Sequence, residues 1–321
     1  MRKGRLKKIL VGIVSFALAG AATWALLATE RAWSQAAAEG RPKAAPSTAT
    51  RSVKAGPELD RLRARVDKLE HLLAHVSVHG RNLVLSGMNL QVVNGRGATD
   101  SGINGVGNVI IGYNEAGEQR LERSGSHNLV IGREQSYASY GGLVAGSRNK
   151  ILAPYATVCG GSDNVASGEL ATVSGGGGNE AAGKHATVSG GGSNQALGGW
   201  SGIAGGYNNH AEGKWSWVGG GFENRASGRL ATVAGGKGNS AGGEYAAVAG
   251  GELNVALGEA ASVAGGGGNR AEGTHASVAG GGRNRANGGW SAIAGGVQAQ
   301  ADAKWAVVSG QPGSQAQAAS P

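Results

Sequence analysis

The stretch Ser262-Val263-Ala264-Gly265-Gly266-Gly267-Gly268-Asn269-Arg270-Ala271-Glu272-Gly273-Thr274-His275-Ala276 is followed without a break by Ser277-Val278-Ala279-Gly280-Gly281-Gly282-Arg283-Asn284-Arg285-Ala286-Asn287-Gly288-Gly289-Trp290-Ser291. Laid over one another, the two segments keep Val, Gly-Gly, Asn, Ala and Gly in the same places. The same step extends in both directions: Val158, Val173, Val188, Ile203, Val218, Val233, Val248, Val263, Val278, Ile293 and Val308 recur at this constant spacing without an insertion. An Asn follows at the sixth place after the Val from Asn164 to Asn284, and an Ala at the eighth place from Ala166 to Ala301. A fixed internal period of this kind is the signature of a stacked repeat fold.

The unit explains the composition. Gly makes up 62 of 321 residues, well above the usual share of about 7%, yet it has no three-residue period, which excludes collagen. Ala156, Val158 and Gly160 share one parity, and Asn164, Ala166 and Gly168 share another run, so each half alternates with the period of a strand. Each unit reads as two short strands and two turns. Gly-Gly and Asn supply the positive-φ corners. Stacked at about 4.8 Å per coil, eleven coils make a rod near 50 Å long. With only 2 Phe and 2 Met in the chain, the inward residues of one coil are too small to make a generous core, and burial against partner chains is expected to supply the rest.

Working outward, Asn108–Gly112, Asn128–Gly132 and Leu143–Gly146 read as looser copies of the strand. From Ile110 through Val130 and Val144 to Val158 the numbering steps by 20, 14 and 14. Residues 80–155 are therefore expected to form an irregular β neck of degenerate coils, 156–310 the regular array, and 311–321 a disordered tail too polar and small to pack. Upstream, residues 58–79 place Leu59, Val66 and Leu73 at heptad position a and Leu62, Leu69 and Val76 at d. Arg65-Val66-Asp67-Lys68-Leu69-Glu70 resembles the trimer-specifying motif of coiled coils, in which Arg65 at g and Glu70 at e pair between chains. The expectation is a trimeric stalk.

At the N-terminus, Arg2, Lys3, Arg5, Lys7 and Lys8 precede the uncharged stretch Ile9 to Ala28, the order of charge and hydropathy in an export signal. Residues 1–36 read either as a cleaved signal peptide or as a retained membrane anchor, since the apolar stretch is long enough to span a bilayer. Residues 37–57 read as a flexible linker. The predicted location is extracytoplasmic, at the cell surface or in the periplasm, with a membrane tether through residues 9–28 if they are retained. One Cys allows no intrachain disulfide.

The net charge of +9 is concentrated upstream: residues 1–80 hold 14 of the 30 Lys/Arg and 6 of the 21 Asp/Glu. The array itself is nearly balanced, which argues against nucleic acid as a partner. The scarce aromatic residues gather immediately before each Ala/Ser-x-Val core, in a column of Tyr155, Leu170, His185, Trp200, Trp215, Leu230, Tyr245, Ala260, His275, Trp290 and Trp305. An apolar ladder of that size is expected either to pack between chains or coils or to form a ligand strip.

The residues that carry a family likeness are now in view. Ser262-Val263-Ala264-Gly265 through Ala271-x-Gly273 is similar to the YadA-like, hemagglutinin-type head repeats of trimeric autotransporter adhesins. That resemblance implies a left-handed parallel β-roll, three chains, and a role in adhesion to glycan, extracellular matrix or another cell surface. Three departures stand out. The repeat unit is longer by one than the family's, the stalk precedes the head, and Gln311 to Pro321 holds none of the amphipathic strands of the family's C-terminal membrane barrel.

Other motifs carry less. Gly178 to Lys184 fits a phosphate-loop pattern, but His185 stands where Ser or Thr is required. His71, His75 and His79 fall four apart on the expected helix and read as surface histidines rather than metal ligands. Cys159 shares a column with Ser174 and Ser189 and is expected to be a small packed residue. No catalytic arrangement recurs, so neither enzyme activity nor a cofactor is expected. The alternative from another class is a β-solenoid that modifies polysaccharide.

Overall fold

The computed structural model describes residues 56–117 and 120–316. The predicted export segment 1–36, residues 37–55 of the linker and the last five residues of the expected tail lie outside the described residues. The chain divides into two units, residues 1–88 and 89–321.

In the first unit, Pro57–Leu73 is an α-helix. Pro57 sits in its first turn, where a missing N–H costs nothing. Glu58 and Asp60 lie in that turn and His71 in the last, as the helix dipole favours. Not one of its residues is buried. The helix stops short of the expected end of the stalk at His79. Val76–His79 instead pairs antiparallel with Asn82–Leu85, in the register Val76↔Leu85 to His79↔Asn82. The β-branched alternation of Val76-Ser77-Val78 favours a strand. Gly80, at φ +64°, supplies the positive φ that a two-residue hairpin loop needs. Val76 is therefore not a heptad residue. His71, His75 and His79 do not share a helix face, and His75 Nδ1 lies 3.0 Å from the carbonyl of Ser86.

The second unit is a parallel β-solenoid of about 13 turns. A 14-stranded sheet runs from Val109–Ile111 to Val307–Val308, and a 13-stranded sheet from Ser136–Tyr137 to Gln315–Ala316. In the first sheet Val173 pairs with Val158 on one side and Val188 on the other; in the second, Ala181 pairs with Ala166 and Ala196. The irregular coils keep the sequence alignment, because Ile110 pairs with Val130, Val130 with Val144, and Val144 with Val158. A third ladder of single bridges, from Ser147↔Ser162 to Gly282↔Val297, closes the remaining side. Two strands per coil thus become two strands and a bridge.

One chain makes a thin but closed interior. The Val/Ile column from Val158 to Ile293 and the Ala column from Ala166 to Ala301 are at most 1% exposed, so the array does not depend on partner chains to close its core. The expected shortage of bulk is met by hydrogen bonds. Each Asn from Asn164 to Asn284 is 0% exposed. Asn224 is typical: its N–H donates to Asn209 Oδ1 (2.9 Å), its Nδ2 donates to the carbonyls of Gly220 (2.9 Å) and Gly236 (2.8 Å), and its Oδ1 accepts from the N–H of Asn239 (3.0 Å). The Asn residues are thus a buried spine rather than positive-φ corners. The positive φ falls one residue earlier, on Asp163, Ser193, Asn208, Glu223 and their equivalents. A second positive-φ corner carries Gly161, Gly176 and their successors. At Gly236 an added Cβ would stand 2.2 Å from the carbonyl oxygen of Gly251, so only glycine fits there.

Two further expectations are corrected. The array does not stop at Gly310: Gln315–Ala316 pairs with Gln300–Ala301, and Ala316 packs partly buried against the core. Cys159 is exposed, because it follows Val158 with the opposite parity and so points away from the interior.

Candidate functional site: an aromatic ladder on one corner

The third positive-φ corner of the solenoid is the aromatic column. Tyr155, Leu170, His185, Trp200, Trp215, Leu230, Tyr245, Ala260, His275, Trp290 and Trp305 all have φ between 52° and 66°. Left-handed backbone is unfavourable for bulky L-residues, so stacking, not turn preference, accounts for aromatic rings at this place. Each backbone N–H ties to the preceding coil; that of Trp215, for example, donates to the carbonyl of Gly199 at 2.9 Å.

The side chains meet along the stack. His185 and Trp200 are parallel at 3.8 Å between ring centres, His275 and Trp290 at 3.9 Å, and Trp290 and Trp305 at 5.0 Å. Tyr155 meets Tyr140 edge to face at 5.4 Å. At Trp215 and Tyr245, cations cover the rings instead. Lys214 Nζ lies 4.1 Å above Trp215, and the Arg229 guanidinium stands between Trp215 (5.3 Å) and Tyr245 (5.9 Å). Arg229 also donates to the Tyr245 hydroxyl and pairs with Glu244; these bonds, the one to Tyr245 first, raise its already high pKa.

The geometry limits what this corner can hold. His185 and Trp200, and His275, Trp290 and Trp305 in turn, spend ring faces on one another. Even so, Trp200 is 53% exposed and Trp305 61%. The ladder is thus internally packed along the stack and uncovered across it.

The expected trimerisation residues stand in the first unit. Leu59, Leu62, Val66, Leu69 and Leu73 are all exposed, as are Arg65 and Glu70 on the same helix; only Val76 lies off it. Among the described residues no group of three His, Cys, Asp or Glu side chains could hold a metal ion, and no helix is long and apolar enough to cross a membrane.

Three further features depart from the regular unit. Trp217 breaks an outward row of Thr, Ser, Ala and Gly, and Gly202 beside it is where an added Cβ would stand 2.4 Å from the indole. Tyr207 and Phe222 stack at 5.8 Å on the bridge side. Ser201, Ser216 and Ser291 replace the inward Ala that follows the column, and their buried hydroxyls have no partner. The signal for all three was a departure from the consensus unit rather than the unit itself.

The fold and the ladder define a parallel β-solenoid with an uncovered aromatic corner. Comparison with protein-family models and with characterised proteins finds no match for the chain.

Proposed function

We propose that this chain is one subunit of an exported homotrimer, a left-handed β-roll of 15-residue coils on a short helical stalk, serving adhesion or surface structure. The observation that carries the reading is the lack of cover on the apolar residues of the helix. Five heptad positions from Leu59 to Leu73 are exposed on a helix with no buried residue, and an isolated helix of this length is marginal in water. Identical chains presenting the same stripe cover it by symmetry. The predicted export segment favours a role outside the cytoplasm, and the charge-balanced array argues against nucleic acid as a partner.

The alternative, a glycan- or tissue-binding strip along the column, is weakened where ring faces are already stacked, as on Trp290 between His275 and Trp305, because a sugar ring would need an open face to lie on. A polysaccharide-modifying solenoid would release product from a polysaccharide substrate. Surface-protease shaving of intact cells, followed by adhesion of the purified full chain to glycan- and matrix-coated surfaces, tests the reading. Exposure to protease and binding to at least one coated surface support it. A protein confined to the cytoplasm, or one that cleaves polysaccharide, overturns it.

A further inference from the structure

Charge is distributed very unevenly around the solenoid. The outward positions of the alanine sheet and the strand ends beside it carry Lys150, Glu180, Glu212, Arg225, Arg270 and Arg285. The 14-stranded valine sheet carries a single charge, Arg133, at the end of the strand Leu129–Arg133. In its regular part the residues flanking each Val/Ile run from Thr157 to Val307 on one side and from Cys159 to Ser309 on the other, and every one is uncharged. In its first three strands the outward positions ahead of Arg133 and Ser147 are Val109, Ile111, Leu129, Ile131, Leu143 and Ala145. Over that length the strands are apolar on both faces.

A parallel sheet apolar on both faces is ordinarily covered on both. From Val130 onward the inner face is closed by the solenoid, whereas outside it Leu129 is 37% exposed and Trp217 45%; the terminal strand Val109–Ile111 is exposed on both faces. With 14 strands about 4.8 Å apart and a width of roughly 10 Å, the whole uncharged face, apolar in its first three strands and set mainly with Thr, Ser, Ala and Gly beyond them, is on the order of 600 Å². That approaches the roughly 800 Å² per partner of a stable protein interface, and the edges of the adjoining aromatic column can supply the remainder.

We propose that the outer face of the valine sheet, rather than the aromatic column alone, is the surface on which copies of this chain meet, with Trp217 seated beside Gly202 as its central anchor. The occupant is a second copy, for two reasons. From Leu143 onward the face carries no charge with which to select an ionic partner, and its small residues allow two flat sheets to approach closely along their whole length, as matching repeats of one period would. The same chain also presents an unpaired heptad stripe on its helix, which calls for identical partners. This assignment rests on the proposed homotrimer and names the face that builds it.

Cys159, the chain's one cysteine, lies on this face and serves as a probe. The purified full chain is treated with a short bismaleimide at low concentration, and its mass is followed by native mass spectrometry. A Cys159→Ser/Ser240→Cys variant moves the thiol to the alanine sheet. A second variant, Ala264→Glu, places charge on the valine face, with Ser240→Glu as its counterpart. The expected result is a trimer in which Cys159 links chains in pairs and the moved thiol does not, while Ala264→Glu lowers the assembly affinity at least tenfold and Ser240→Glu leaves it unchanged. A trimer that survives Ala264→Glu without any Cys159 link overturns the face and leaves the assembly standing. A monomeric wild-type chain overturns the proposed function itself.

Discussion

Replacing Asn224 by Ala removes one rung from the buried spine, and the cost can be worked from its bonds. The substitution leaves the Asn239 N–H without the Oδ1 that accepts it at 3.0 Å and the Gly220 carbonyl without the Nδ2 that donates to it at 2.9 Å. The Gly236 carbonyl loses one donor but keeps the N–H of Phe222 at 3.0 Å. Two orphaned groups at about 1–3 kcal/mol each give a loss of roughly 2–6 kcal/mol. Because coils contact only their neighbours, the effect is expected to be local first. Amide hydrogen exchange should quicken at Asn209, Asn224 and Asn239 before the ends of the array respond, and the melting temperature of the array should fall by several degrees. Asn224→Asp should be worse, since it turns a carboxylate oxygen toward two carbonyls in a buried place. Unchanged exchange at Asn239, with a melting point within one degree of wild type, would refute the spine as a source of stability. The chain holds its own control at Ala299, whose N–H donates to Asn284 Oδ1 at 2.9 Å as the last rung and whose methyl group cannot pass the ladder on.

Three further outcomes follow from the same geometry. Val218→Asp places an unpaired charge in a fully buried column and should cost several kcal/mol in chemical unfolding, whereas Glu223→Ala, at an exposed corner, should change stability by about 0.5 kcal/mol or less; equal midpoints would mean the wrong face is inward. Ser201→Ala, Ser216→Ala and Ser291→Ala remove hydroxyls that have no partner and should leave thermal stability unchanged or raise it by up to about 1 kcal/mol each, so a clear loss in all three would show that those hydroxyls are satisfied. Hydrogen bonding to Arg148, ahead of its charge, lowers the Asp163 pKa. The contribution of this half-exposed pair is therefore present above the ordinary carboxylate pKa and lost as pH falls through the lowered one. In urea titrations from neutral to strongly acidic pH, Arg148→Ala should lower stability slightly at the upper end, where the exposed pair is screened by solvent, and not at the lower, and a pH-independent difference would refute the pairing.

How much of this was legible in the sequence depends on what each residue answers to. The register of the solenoid was readable down to the pairing of Ile110 with Val130 across a lengthened coil, because a column that must stay inward tolerates loop insertions but no change of parity. The role of Asn164 and its successors was misread as turn chemistry. Turn propensity is local, while a buried amide spine exists only once coils are stacked. The helix end was misplaced for a related reason: Val76 satisfies the heptad, but Gly80 makes a hairpin available to the same residues. The aromatic column was found as a pattern, yet its left-handed backbone and face-to-face stacking depend on neighbours one coil away. The nearly uncharged outer face of the valine sheet was legible in composition. It acquired meaning only when both sheets could be compared side by side.

The central claim is that three copies of this chain share one assembly, and the mass of the purified full chain at micromolar and submicromolar concentration tests it most directly. The account predicts one species at three times the chain mass of 31.8 kDa, reduced by any cleaved leader and unchanged on dilution. A well-folded monomer across that range would contradict it.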